Sequence, residues 1–289
     1  MRILIAIDGS PGTGAVLSLG TYLALNQLAD PSPVLLAVAR RKEDRAQAER
    51  ALLSACELLS VASAQTKLRM GRPDHEILDE AQQGHYDLVV VGEGWRPRHP
   101  LACAQDRLTA ARVAERASCP VFAVLGRAQF LGQERPIRRI LLCDSGARSA
   151  LNPAGASAPL LGRFTAQLAE LLGGEEEVTV LHVMSQLGAG PGVRGRQLRA
   201  DVDELVAERT PEGALVEEDV RALRRPGIHP QAKVRHGLVV REILTEARSG
   251  DYDLVVIGAY RGQGWQRILL DDLAHRIVVE MDRPVLVVR

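Results

Sequence analysis

Aromatic residues make up only 3% of the 289-residue chain. That is too few for the stacking platforms on which proteins hold single-stranded nucleic acid. Neither sign of charge is in excess, because 36 Lys and Arg balance 36 Asp and Glu, so no overall field draws the chain to nucleic acid or to an anionic membrane. The four cysteines (Cys56, Cys103, Cys119, Cys143) form no CxxC pair and keep no Cys/His spacing of a zinc site. This pattern fits a reduced, cytoplasmic setting with no disulfides and no structural metal. No apolar run approaches a membrane span, and the opening run stops at Asp8-Gly9, well short of a signal-peptide core. Also missing are the P-loop lysine motif, the GxSxG elbow, HExxH, and a GxGxxG opening a helix. These absences favour binding over catalysis, and no catalytic residue is assigned.

What is present is an alternation of short apolar strands with helical stretches, in a chain long enough for two cores of about 100–150 residues each. Strands are expected at Arg2–Ile7, Pro33–Ala39, Thr66–Met70, Asp87–Val91 and Pro120–Leu125. Helices near Thr13–Leu28, Glu43–Ala62, Asp74–Gln83 and Ala110–Ala117 separate them. Five strands alternating with helices predict a parallel α/β sheet. The polar, aperiodic stretch 127–137 reads as a linker between a first domain, 1–126, and a second, 138–289.

After the linker the pattern restarts. Lys67–Gly92 aligns without gaps on Lys233–Gly258 with 15 identities in 26 positions, the mark of a tandem duplication. Arg139–Cys143 ends at Asp144 as Arg2–Ile7 ends at Asp8, and Val178–Met184 corresponds to Val34–Ala39. The second half has extra Gly/Pro/Ala-rich sequence at Ala147–Pro159 and Leu187–Gly195, expected to form loops at the ligand-bearing end of the strands. In Asp251–Arg289 a strand stops at Gly258, a glycine-bearing loop follows, and a helix leads to the strand Val285–Val288. A loop of that kind, feeding a helix N-terminus, is where α/β proteins hold ligands.

Five blocks recur in order in both halves: the strand ending in Asp, the second strand (Leu181-His182-Val183 in the second half), a glycine before a helix carrying EILxEA, YDLVVxG, and a final PVxxV strand. Together they resemble the universal stress protein family in its tandem two-domain form. The resemblance implies two tandem five-stranded parallel α/β sandwich domains, Rossmann-like and of the adenine nucleotide alpha hydrolase-like type, with strand order 3-2-1-4-5. It also implies that the repeats pair through their last strands as an intramolecular pseudo-dimer, with a homodimer also open, and that the protein serves the stress response.

Family members that bind ATP carry G-x2-G-x9-G-[ST] after the fourth strand, where glycines let backbone N–H groups reach phosphates. Here Gly258 matches the first glycine, Arg261 stands at the second beside Gly262, and Asp271-Asp272 replace the terminal pair. Two carboxylates there are expected to cap the helix N-terminus and oppose phosphate. The base-and-ribose wall implied by the resemblance is Asp144, Val183, Ile257 and Gly258, with Asp8, Val38, Val91 and Gly92 as first-half equivalents. The first-half loop, Gly92 to Pro100, has no phosphate cradle. The resulting expectation is a binding or regulatory protein with a degenerate adenine-nucleotide site in the second half, taking ATP, AMP or adenosine mainly through the adenosine part. A drifted ATP binder with slow ATPase activity stays open beside it.

Overall fold

The structure is a computed structural model, described over residues 1–10, 12–25, 33–59, 64–92, 109–125, 137–144, 160–172, 176–184, 200–258 and 265–288. The interrepeat linker up to residue 136, both inserted loops of the second half, and the loops carrying Arg261 and Gly262 or following Gly92 lie outside these residues. Ten strands occur among the described residues, and the fold is α/β and mostly parallel.

The first half runs β1 (Ile3–Ile7), α1 (Thr13–Leu25), β2 (Val34–Ala39), a 3-10 turn (Lys42–Asp44), α2 (Arg45–Leu59), β3 (Gln65–Met70), α3 (Pro73–Gln83), β4 (Leu88–Gly92), helix α4 (residues 109–116) and β5 (Val121–Val124). The second half runs β6 (Arg139–Asp144), α5 (Leu160–Leu172), β7 (Glu177–Met184), α6 (Val202–Ala207), α7 (Pro211–Leu223), β8 (His229–His236), α8 (Val239–Ser249), β9 (Leu254–Gly258), α9 (Trp265–Glu280) and β10 (Val285–Val288).

The chain packs into two compact units, which do not follow the repeats. One comprises Met1–Pro136 with Arg261–Val287, the other Ile137–Tyr260. In the first unit the strand order is β3-β2-β1-β4-β5-β10. The first five strands are parallel in the expected 3-2-1-4-5 order, and β10 lies antiparallel to β5, with Val285, Leu286 and Val287 opposite Ala123, Phe122 and Val121. The second unit has β9-β6-β7-β8, all parallel, which is the first repeat's 4-1-2-3.

Central strands are apolar on both faces because helices cover both. Ile3, Leu4, Ile5, Leu88, Val89 and Val90 are 0–1% exposed, as buried parallel strands require. Strands β3 and β8 instead carry only exposed and half-buried positions, alternating over most of β8. They stand at the ends of their units' strand orders and carry Lys67, Arg69, Lys233 and Arg235. Charged residues on such strands discourage edge-to-edge pairing.

Where the first repeat has a 3-10 turn after its second strand, the second has α6, closed by a capping box in which Asp201 accepts from the Glu204 N–H. Leu205 of α6 is buried with Met184 and Ala200. The sequence analysis assigned no helix there.

Candidate functional site

In each repeat the candidate residues gather at the carboxyl ends of neighbouring strands. In the first, β1 ends at Ile7 and Asp8 follows, after which Gly9, at φ +72°, turns the chain toward α1. Among the described residues, two hydrogen bonds reach Oδ1 of the Asp8 carboxylate, from the Ser10 N–H at 2.9 Å and the Thr13 hydroxyl at 3.1 Å. The turn thus orients the carboxylate while the residue stays exposed. The register places Ile7 opposite Ala37 and Ala6 opposite Val91, so Val38 and Gly92 flank the end of β1 on either side. Val91 is buried and Val38 half-buried. A Cβ on Gly92 would meet Val16 Cγ2 at 2.4 Å, so packing of α1 alone accounts for that glycine.

The second repeat does not superpose on this arrangement as the sequence suggested. Arg2 donates its backbone N–H to Asp87 Oδ2 at 2.6 Å and lays its guanidinium over Tyr86. Arg139 does the same with Asp253, at 2.9 Å, and Tyr252. Ile3 pairs with Leu88, and Ile140 with Leu254. Since Tyr86-Asp87-Leu88 and Tyr252-Asp253-Leu254 are equivalent in the gapless alignment, Arg139 is the counterpart of Arg2. Asp144 is therefore the counterpart of Ile7, and the counterpart of Asp8 is Ser145, outside the described residues.

This corrects the pairing of Asp144 with Asp8. The sequence set each strand to run from an arginine to an acid, but Asp144 lies five positions after Arg139 whereas Asp8 lies six after Arg2. On a strand a one-residue shift exchanges the two faces, so Asp144 holds the place of an apolar strand residue. The rest of the wall is equivalent. Val38 pairs with Arg69 and Val183 with Arg235. The Gly71 N–H meets Ala39 O at 3.0 Å, as the Gly237 N–H meets Met184 O at 3.1 Å. Val183 and Ile257 are 5% and 1% exposed, and Gly258 ends β9.

A second correction concerns Asp271 and Asp272. Helix α9 begins at Trp265, so both fall in its second turn and not at its N-terminus. The six preceding residues, WQRILL, contain neither Gly nor Pro, and nothing in them stops the helix from starting earlier. The expected capping role does not hold.

The sequence analysis missed a duplicated ion network beneath the edge strands. Glu80 on α3 accepts from Lys67 Nζ at 2.5 Å, Arg69 Nη1 at 3.0 Å and the Tyr86 hydroxyl at 2.9 Å, and Arg69 Nε also pairs with Glu76 at 2.9 Å. Glu246 on α8 accepts from Lys233 at 2.8 Å, Arg235 at 2.7 Å and Tyr252 at 3.1 Å, with Arg235 also on Glu242 at 2.9 Å. Burial pushes both central carboxyls up, but hydrogen bonds from Lys67 and Tyr86, and from Lys233, Arg235 and Tyr252, outweigh it and hold them below the usual glutamate range. Burial, followed by the Glu80 carboxylate, raises the Tyr86 hydroxyl. Among the described residues no group of three or more His, Cys, Asp and Glu is placed to hold a metal ion, and no helix is long and apolar enough to cross a membrane.

The universal stress protein family model matches residues 1–124 and 156–289. No curated protein matches the chain. Among solved structures, a functionally unknown protein from Pseudomonas aeruginosa PAO1 is 16% identical, with a TM-score of 0.64 over 99% of this chain and 92% of that one. A universal stress protein from Archaeoglobus fulgidus DSM 4304 is 15% identical, with a TM-score of 0.60 over 100% and 96%. At these identities the two structures show a shared fold. A complex of an Archaeoglobus fulgidus universal stress protein with dAMP, 19% identical over 53% of this chain and 98% of that one, has a TM-score of 0.34, too low to bear on this one.

Proposed function

The chain belongs to the universal stress protein family, and from that premise we propose that it is a binding and regulatory protein of the stress response whose adenine-nucleotide site lies in the first repeat. The observation that carries this reading is Asp8: an exposed carboxylate just past the end of β1, oriented through Oδ1 by its own turn and flanked by Val38 and Gly92. Adenosine presents an exocyclic amine and two ribose hydroxyls, all donors a fixed carboxylate can accept from. Val38 and Val91 supply apolar surface beside it.

The second repeat is the degenerate copy. Val183, Ile257 and Gly258 would give an apolar wall, but Asp144 is one residue out of register to serve as its acid. The antiparallel pairing of β5 with β10 supports reading the repeats as an intramolecular pseudo-dimer.

Calorimetric titration with adenosine tests the assignment. Asp8→Asn, which keeps an oxygen acceptor for the turn, is expected to weaken binding at least tenfold, about 1.4 kcal/mol, whereas Asp144→Asn leaves it unchanged. Loss of binding in Asp144→Asn alone would place the site in the second repeat.

A further inference from the structure

The start of α3 carries a cluster that the second repeat lacks. Asp74 is 3% exposed, and its Oδ2 is approached by Arg72 Nη2 at 3.1 Å, Arg112 Nη1 of α4 at 3.4 Å and His75 Nε2 at 3.9 Å. Two guanidiniums from different elements thus share one carboxylate, which leaves the cluster net positive. Their side chains are 63% and 39% exposed, so donors not turned to Asp74 reach solvent. Burial pushes the Asp74 carboxyl up, but the hydrogen bond and charge of Arg72, with Arg112 behind it, bring it below the usual range; the acid remains ionised and holds both arginines in place.

Helix construction does not explain the cluster. Helix α8 is the counterpart of α3, also eleven residues long, and it starts with no side-chain cap bond, as α3 does. At the positions of Arg72 and Asp74 it has Leu238 and Val240. Aligning Pro120 with Pro284 makes Arg276 the counterpart of Arg112, and Arg276 pairs instead with Glu280 on its own helix at 3.5 Å. The same fold is built in the second repeat with apolar residues.

The cluster also lies at the ligand-bearing end. The Gly71 N–H bonds to Ala39 O, so Arg72 follows directly on the joined ends of β2 and β3. Two strand spacings, about 10 Å, separate that point from the strand that Asp8 ends. We propose that Arg72 and Arg112, gathered on Asp74, form an anion subsite of the first repeat for a phosphate monoester dianion. Guanidinium forks match phosphate oxygens bidentately, and here they take the part that glycine N–H groups play in a phosphate cradle. The link to a nucleotide rests on the Asp8 reading; the recognition of phosphate does not.

The test uses the full chain and three probes: inorganic phosphate, adenosine and AMP, titrated calorimetrically at fixed ionic strength. Unaltered protein should bind phosphate saturably and AMP at least tenfold more tightly than adenosine. Arg72→Gln with Arg112→Gln should abolish phosphate binding and bring AMP to the affinity of adenosine, while Arg276→Gln changes neither. If the double variant does not fold, Arg72→Gln alone, at a mostly exposed side chain, should lower phosphate affinity several-fold. Saturable phosphate binding without adenosine binding would keep the subsite and sink the Asp8 reading. Absence of saturable phosphate binding, or its persistence in the variants, would overturn the subsite.

Discussion

The two repeats agree under their edge strands and disagree at their ligand-bearing ends. Beneath β3 and β8 an equivalent buried glutamate collects an equivalent lysine, arginine and tyrosine, and a second arginine, Arg2 or Arg139, stacks on that tyrosine. At the ligand-bearing end, Asp8 corresponds in sequence to a shifted Asp144, and Leu238 and Val240 stand at the positions of Arg72 and Asp74. Most of the polar identities in the duplicated 26 residues therefore belong to a structural ion network and not to a site. A buried glutamate that loses its cations is left uncompensated in low dielectric, which constrains every member at once. An exposed residue at a strand end, such as Asp8, carries no such constraint.

The comparison breaks most visibly if the central glutamates are removed. Glu246→Ala removes a buried acceptor shared by three donors, while Lys233 and Arg235 stay partly exposed and can turn to solvent, and is expected to cost about 2–4 kcal/mol, read as a fall in urea midpoint. Glu80 is slightly less buried, with side-chain exposure of 6% against 0%, so Glu80→Ala should cost somewhat less. Equal, small losses would show that the networks are ornamental. Both carboxyls sit below their ordinary values in the folded protein, so their stabilisation is complete above the unfolded glutamate pKa, about 4.3, and is lost as pH falls through the lower folded values. Acid titration of stability should be flatter in either variant.

A smaller effect is expected at Gly71 and Gly237, at φ +151° and +148°. A Cβ would meet Glu76 Oε1 at 2.5 Å in one and Glu242 Oε1 at 2.8 Å in the other. Alanine at either should cost about 1–3 kcal/mol in backbone strain and loosen the arginine pair next to it. The two losses should be alike, and a large difference between them would mean the turns are not equivalent. Smaller still, Tyr86→Phe and Tyr252→Phe each remove one donor to a buried carboxylate and should cost about 1–2 kcal/mol. The smallest effect belongs to Arg45→Gln, whose partner Glu49 lies one turn on along exposed α2; about 0.5 kcal/mol or less is expected.

The strands and most helices were legible because apolar runs bounded by Gly, Pro and Asp are one-dimensional signals. The register of β6 was not. Arg138 and Arg139 stand side by side at its start, and only pairing with β9 decides which one stacks on Tyr252. The start of α9 was misjudged because Asp-Asp reads as a cap when nothing shows that Trp265 already follows helical geometry. The ion network did leave a signal: Lys67 and Arg69 share one strand face, and Glu76 and Glu80 share one helix face, spacings that alternation and the helical repeat bring together. The arginines on Asp74 left none, since Arg112 is 38 positions away.

The pairing of β10 with β5 sets an order of manufacture. Val285–Val287 follow Val121–Ala123 in the chain by more than 160 positions, and Arg261–Val287 belong to the same compact unit as Met1–Pro136. On a ribosome, then, the stretch made first waits for a stretch made late, while Ile137–Tyr260 can close in between. Until α9 and β10 emerge, β5 presents an apolar, hydrogen-bond-ready margin, the kind of surface on which nascent chains misassociate. Emergence of Val285–Val288 is thus the step that retires that hazard, and a pause before it would prolong it.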